Sequence, residues 1–582
     1  MTVSPLLVTA CALLAYVVAY RFYARYLAER LFELDGSHST PSHRFHDGVD
    51  YVPANRYVLF GHHYASITGL SPMLGPAIAV IWGWLPAILW VVLGAIFVGA
   101  VHDFGALAVS IRARGLSIGK VTENLIGPRG KTLFHAIIFF LIALAMGVFV
   151  HIVAVLFSPE FYPESVLPSG VLVLMALAFG IVIHRRRWGI RPLSTLGFSL
   201  MLIFIWAGIH YPIIGPTLAG WKVILLLYAF AASILPVWML LQPRDYINSL
   251  FLYFGVGAMY IGFAITNPSF AAPAINLNPE GAPAMFPFVF VIIACGAASG
   301  FHSLVSSGTS AKQLDRETDA RFIGYGAMIG ESLFGLIAVL ACTAGFVSRE
   351  AWLERYMSWQ SADNLGLNIA SFINGTVHFL AALGLPSELA GTFVSVLVVS
   401  FALTSLDSAT RLLRYNVSEV GETLRVQALG NRYVASAVAV TAIAFFAFYQ
   451  VRGEFAGLIL WQLFGTTNQL MAGLALLAVT IYLMRRGKPV AYTAVPMAFM
   501  LVSTLWAMTS NLLDFWANRQ LLLLLTGGAV LVLALWLVVE ACLAVRRYRQ
   551  QPVIEDIEVE FQEASALATP AGVIYPHTHN EP

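Results

Sequence analysis

Three carboxylates stand inside otherwise apolar stretches. Asp103 lies in Ala100-Val101-His102-Asp103-Phe104, Glu331 in Ile329-Gly330-Glu331-Ser332, and Asp407 in Thr404-Ser405-Leu406-Asp407-Ser408. His63, His102, His151 and His302 add imidazoles, which titrate near neutral pH. Ionisable groups at such positions are costly to bury, so each is a functional candidate. Together they suit reversible proton uptake and release. Asp407, flanked by Thr404, Ser405 and Ser408, offers an oxygen set that would equally suit a sodium ion. Asn468 and Gln469 place two amides in a further apolar stretch. Structural readings stand beside these: Asp103 precedes Arg112 by nine residues and could pair with it, Glu331 could bond a neighbouring helix, and Asp407 has Arg411 at i+4. Enzyme signatures are absent. There is no H-E-x-x-H, no G-x-S-x-G, no Walker lysine loop and no dinucleotide fingerprint. The expectation is a non-enzyme with no cofactor and no metal site, whose transport is ion-driven or passive.

The elements that must position these groups are membrane helices. Of the 582 residues, 59% are hydrophobic and only 11% charged. Soluble domains carry about 25% charged residues, so the chain reads as an all-α polytopic membrane protein. Fifteen candidate spans are long enough to cross a bilayer: 4–20, 60–80, 86–111, 133–157, 168–184, 192–213, 220–241, 246–266, 286–308, 321–347, 388–410, 433–450, 457–484, 490–510 and 519–545. With the N-terminus outside, every basic residue but Lys222, Arg349, Arg355, Arg452 and Arg519 falls in a cytoplasmic loop or the tail. This predicts an N-out, C-in orientation. Residues 1–545 form the transporter domain and 546–582 a mobile cytoplasmic tail. Residues 348–387 read as an outside loop with short helical patterns. The net charge of +2 gives no reason to expect a nucleic-acid partner. The four cysteines show no C-x-x-C spacing and read as small apolar packing residues.

Two spans are interrupted. Segment 60–80 carries Gly61, Gly69, Pro72, Gly75 and Pro76; segment 286–308 carries Pro287, Gly296, Gly300 and Gly308. Non-helical backbone is tolerated at membrane depth only where it lines a cavity or is buried in protein. Paired interruptions are a pointer to a transporter's binding site. The two segments are seven spans apart and so run in opposite directions. The candidate substrate-binding set is therefore His63, Ser66, Gly69, Gly75, Gly296, Gly300, His302, Ser303, Ser306 and Ser307. The candidate ion-coupling set is Asp103, Glu331, Asp407, Asn468 and Gln469. His63 and His302 both fall toward the cytoplasmic half.

The stretch from His46-Asp47-Gly48-Val49-Asp50-Tyr51-Val52-Pro53 to Val58-Leu59-Phe60-Gly61-His62-His63 closely resembles the carbon starvation protein A family. Further blocks agree in order: Gly99-Ala100-Val101-His102-Asp103-Phe104, Leu235-Pro236-Val237-Trp238 through Pro243-Arg244-Asp245-Tyr246, Ala294-Cys295-Gly296 through Ser306-Ser307-Gly308-Thr309, Phe322-Ile323-Gly324-Tyr325-Gly326, and Leu463-Phe464-Gly465 with Asn468-Gln469-Leu470-Met471-Ala472-Gly473. The resemblance runs over roughly 15–485. It implies a carrier of the bacterial cytoplasmic membrane for peptides or pyruvate, driven by a proton gradient. It also implies an APC/LeuT-like fold of two inverted five-helix repeats, each opening on a broken helix, here 60–80 and 286–308. Departures from the family pattern are His102 where the family often has Gln, a short segment after Val347, and the lack of an extra N-terminal helix found in long members. The expectation is a symporter for a peptide or a small carboxylate, coupled to protons or sodium, with half-helix N-termini favouring the substrate carboxylate. A passive channel and a nutrient-binding membrane sensor are the alternatives.

Overall fold

The computed structural model describes residues 3–186, 190–451 and 453–548. The expected tail therefore lies outside the described residues from 549 onward. In chain order the long helices are α1 (Pro5–Leu31), α2 (Arg56–Thr68), α3 (Ser71–Ala79), α4 (Trp84–Arg112), α5 (Pro128–Leu156), α6 (Val166–Arg186), α7 (Ile190–His210), α8 (Leu218–Ile234) and α9 (Leu241–Thr266). They continue with α10 (Met285–Ile292), α11 (Gly300–Val305), α12 (Glu317–Ala344), α13 (Leu365–Ala381), α14 (Ser387–Leu424), α15 (Arg432–Phe448), α16 (Phe464–Arg485), α17 (Ala491–Ala517) and α18 (Leu521–Tyr548).

Among the described residues eleven helices are long and apolar enough to cross a membrane, and twelve if the bent pair α2–α3 is one span. The other three expected spans are built differently. Segments 220–241 and 433–450 become the shorter helices α8 and α15, each of 17 residues. Such a helix is about 26 Å long, short of the roughly 30 Å hydrocarbon core. Segment 286–308 breaks into α10 and α11.

Burial sorts the helices into a core and a shell. In α12, α14 and α16, 89% of the most apolar window is buried; in α1 and α18 it is 22% and 28%. The shell helices are apolar on all sides because lipid, not water, faces them. The core helices carry the polar groups. The 348–387 segment differs from its expected outside loop: after the short helices Arg349–Arg355 and Trp359–Ala362 comes the 17-residue α13. Asn364 caps it by accepting from the Leu367 amide at 3.0 Å. Buried Phe372, Phe379 and Leu380 seat it against α3, α9, α12 and α14. A pattern of moderate hydropathy hid a helix because its buried face meets protein, not lipid.

Candidate functional site

The first break is a two-residue hinge. Helix α2 stops at Gly69, α3 starts at Ser71, and the two are bent by 43°. The amides of Gly69, Leu70 and Ser71 make no hydrogen bond among the described residues. A helix start normally leaves such donors for a cap, water or a ligand. Here nothing caps them, because Leu70 stands at the N-cap position. Ser66 pairs its hydroxyl with that of Ser408 at 2.7 Å, and its carbonyl accepts from Ser405 at 2.9 Å. Gly75 lets the second broken segment cross at contact distance: a Cβ there would stand 2.5 Å from the Ile292 carbonyl oxygen.

The second break is longer, running from Ile293 to Ser299 between α10 and α11. Its turn needs Gly296, whose φ of +85° lies in the left-handed region that side chains disfavour. Here two of the amides have side-chain acceptors, while those of Cys295, Ala297 and Ala298 have none among the described residues. Gly296 N donates to Glu331 Oε1 at 3.2 Å, and Phe301 N to Asn468 Oδ1 at 2.9 Å. Asn468 also donates to Ser299 Oγ at 2.9 Å. Gly300 packs directly on the Asn468 carbonyl. Gln469 Nε2 donates to the Phe290 carbonyl at 3.0 Å at the end of α10.

From this break a chain of ionisable groups runs through the core. Glu331 Oε2 of α12 stands 3.3 Å from His302 Nε2 of α11. His302 Nδ1 pairs with Asp103 Oδ2 of α4 at 2.9 Å, and His102 Nδ1 with Asp103 Oδ1 at 2.8 Å. All four side chains are fully buried. Spacing alone showed Asp103, His302 and Glu331 as separate residues on three helices; the fold joins them. Asp103 does not pair with Arg112, which binds Glu317 at 2.5 Å instead. Cys295, expected as simple packing, lies within donor reach of the same group, its thiol 3.2 Å from Ser299 Oγ.

Asp407 belongs to a different cluster. It pairs with the buried guanidinium of Arg244 and accepts from Tyr228 at 2.5 Å. The i+4 pair with Arg411 does not form. Arg411 instead reaches Asp50 at 2.6 Å and the Ala232 and Leu235 carbonyls, while Arg414 joins Asp50 at 3.1 Å. Helix α14 is buried on every side there, so tertiary partners outcompete the local one. Burial alone would raise the Asp50 carboxyl, but Arg411 and Arg414 hold it well below the ordinary carboxylate range. The neighbouring His62 Nδ1 donates to Asp245 at 2.5 Å. Sequence reading missed Arg244, Asp245, His62 and Tyr228 as site groups; it placed Arg244 in a loop. The signal was available: adjacent Arg244 and Asp245 at the mouth of an apolar span.

The remaining candidates are dispersed. His63 Nδ1 meets Ser310 Oγ at 2.7 Å, with Nε2 unpartnered. Ser303 and Ser307 bond carbonyls of their own helix at 2.7 and 2.6 Å, and the Ile118 amide donates to Ser307. The buried Ser306 hydroxyl has no partner.

A cavity of ≈620 Å³ reaches both breaks, lined by Ser71 and Gly75 of the first, Ile292 and Ala294 of the second, and by Trp359, Asp363 and Trp461. Beyond it a void of ≈20 Å³ lies between the breaks, lined by Gly69, Ser71, Cys295 and Phe301.

The family model described as carbon starvation protein CstA matches residues 4–357 and 356–507. The pyruvate/proton symporter BtsT of Escherichia coli (strain K12) is 33% identical, over 89% of this chain and 83% of that protein. A peptide transporter CstA of Campylobacter jejuni is 32% identical, over 88% of this chain and 81% of that protein. Among solved structures, a manganese transporter of Eremococcus coleocola aligns over 86% of this chain and 99% of that chain at 11% identity, with a TM-score of 0.48.

Proposed function

Since this chain belongs to the carbon starvation protein CstA family, we propose that it is a proton-coupled symporter importing peptides or small carboxylates such as pyruvate across a bacterial cytoplasmic membrane. The observation that carries this reading is the buried chain His102–Asp103–His302–Glu331, which ends on the Gly296 amide inside a broken helix. The chain sets two carboxylates against two imidazoles at hydrogen-bond distance, an arrangement suited to exchanging a proton. A charge change there acts directly on the backbone of the break, because Glu331 holds it. The substrate carboxylate takes the uncommitted amides at Gly69–Ser71, reached from the cavity. Helix start and anion attract through the helix dipole.

Protons are favoured over sodium by the state of Asp407. Arg244 already neutralises it, and Thr404 and Ser405 donate to backbone carbonyls at 2.8 and 2.9 Å. We read the fold as fifteen crossings, N-out and C-in, built on two inverted repeats. Reciprocal packing supports this: α3 of the first break lies on α12, which follows the second, and α11 of the second break lies on α4, which follows the first. The cytoplasmic side is then closed by Asp50 with Arg411 and Arg414.

The test is uptake of labelled pyruvate and of a labelled dipeptide by proteoliposomes under an inward proton gradient, with the gradient then collapsed. Gradient-dependent accumulation is expected for wild type and its loss for Glu331→Gln and Asp103→Asn. Wild-type accumulation in both variants would remove the chain of groups from coupling. Uptake that never exceeds equilibrium and does not saturate would make the protein a channel.

A further inference from the structure

Two large cavities meet at one side chain. The ≈620 Å³ cavity above the first break and a second of ≈610 Å³ share Asp363, Trp461 and Gln462 in their walls. Asp363 sits between two capped helices. Ser358 caps Trp359–Ala362 and Asn364 caps α13, each through its side chain. Its backbone is therefore fixed where the cavities join. Its side chain is half-buried and forms no hydrogen bond and no ion pair among the described residues.

The first cavity's wall is acidic, whereas Lys222 stands behind the second, its ammonium 3.5 Å over the ring of the lining residue Phe455. Among the described lining residues neither cavity contains a lysine or an arginine. The first holds Asp363 and Asp514, the second Asp363 and His151. Asp514 is exposed and already accepts from Asn518 at 3.0 Å. Arg355, the nearest basic residue in sequence, is committed to Ser361, Ser371 and Asn368. An unpaired carboxylate between aromatic walls is a receiving group for an organic cation, since the indole faces of Trp359 and Trp461 also attract positive charge.

We propose that Asp363 receives the ammonium group of the substrate, so that the transported molecule is a short peptide or amino acid, carrying an amine as well as a carboxylate, and not a keto acid. This rests on the symporter reading above and narrows its substrate class. A zwitterion has two complementary groups on one cavity, the Asp363 carboxylate and the helix start at Ser71. A keto acid offers only the carboxylate and must pass an uncompensated negative charge. Burial pushes the Asp363 carboxyl up to about 6. That supports the assignment: the fold keeps a carboxylate in a costly place without a protein partner.

The test uses the purified full chain and three probes: alanyl-alanine, N-acetyl-alanyl-alanine and pyruvate. Ligand-induced thermal stabilisation in detergent reads binding apart from transport. Alanyl-alanine is expected to stabilise wild type, with the acetylated peptide and pyruvate at least about tenfold weaker. Asp363→Asn should lose that preference, and Asp363→Glu should recover part of it. In proteoliposomes Asp363→Asn should raise the KM for alanyl-alanine by at least about tenfold with kcat little changed. Equal stabilisation of wild type by the free and the acetylated peptide would overturn the proposal, and so would an unchanged preference in Asp363→Asn. If Asp363→Asn does not fold, the comparison of free with acetylated peptide on wild type decides alone. Dipeptide binding without gradient-driven accumulation would instead sink the symporter reading and leave this subsite standing.

Discussion

The two broken helices carry the same sequence signal and differ in how neighbouring helices reach them: side chains bond two amides at the second break and none at the first. At the first, the interruption spans two residues, and the amides of Gly69, Leu70 and Ser71 point at no acceptor. At the second, seven residues separate the helices, and Glu331 and Asn468 fill the amides of Gly296 and Phe301. Unsatisfied donors in a low-dielectric interior cost free energy, about 1–3 kcal/mol each. The first break thus has a standing need for an anion. At the second, the amides of Cys295, Ala297 and Ala298 likewise find no acceptor among the described residues, while Gly296 is tied to Glu331 and so to His302 and Asp103. Half-helix starts were expected to favour the substrate carboxylate at both breaks; at the second, Asn468 already occupies the Phe301 amide at the start of α11. A Gly/Pro interruption marks irregular backbone, and the neighbouring helices decide whether it serves the substrate or the coupling ion.

Four outcomes would sharpen or break this contrast. The largest effect is expected from Glu331→Gln, which keeps an acceptor for Gly296 but removes the titrating charge. Gradient-driven accumulation should fall by about 100-fold while substrate exchange at equal pH stays near wild type. An equal loss of both would mean that Glu331 shapes the substrate site, and the division between the breaks would fail. Next is Asn468→Ala, which strips the second break of its acceptor at Phe301. Removing one partner of a buried bond costs about 1–3 kcal/mol, so the substrate-to-proton ratio should drop by about tenfold. A direct measurement of that ratio with a pH-sensitive dye checks it.

A smaller effect concerns Asp363 above the first break. Its carboxyl binds a proton more tightly in the folded than in the unfolded state, because burial raises it to about 6. Stability from this group therefore rises as pH falls through about 6 and is lost above it. Asp363→Asn should melt about a degree or more above wild type at pH 7.5 and flatten this pH dependence. Wild-type affinity for alanyl-alanine should weaken below pH 6. Asp514 and His151 face the same cavities, so Asp514→Asn and His151→Gln serve as controls and should leave the midpoint in place. The smallest effect is at the second break. Ser303→Ala and Ser306→Ala should leave dipeptide KM within about twofold of wild type, as is usual for substitutions that remove no essential partner. A tenfold rise in either would return the second break to the substrate path.

Much was legible in the chain because bilayer physics is severe. A run such as Leu521–Val539 without a charge has one structural solution, and a helix spans it. The same severity made Asp103 and Glu331 visible, since a carboxylate among apolar residues is never incidental. Partners were harder to see. Asp407 offered a local arginine at i+4, and the fold gave it Arg244, far away in sequence, because α14 is packed on all faces. Helix α13 escaped notice for a related reason: Asn368, Asn374 and His378 interrupt its apolar run, and its buried face is covered by protein.

What the sequence by itself determined is therefore the class of molecule, the places where helices must break and the ionisable groups that cannot be idle. These follow from one-dimensional costs: each buried charge, each glycine or proline in an apolar run, each basic loop. The tertiary structure alone decided that Asp103, His302 and Glu331 form one chain, that Asp363 stands without a partner among the described residues where two cavities adjoin, and that neighbouring side chains reach amides of one break and not of the other. Those outcomes depend on which helix lies against which. Hydrogen bonds and ion pairs act over a few ångströms, and only the packed bundle brings residues hundreds of positions apart within that reach.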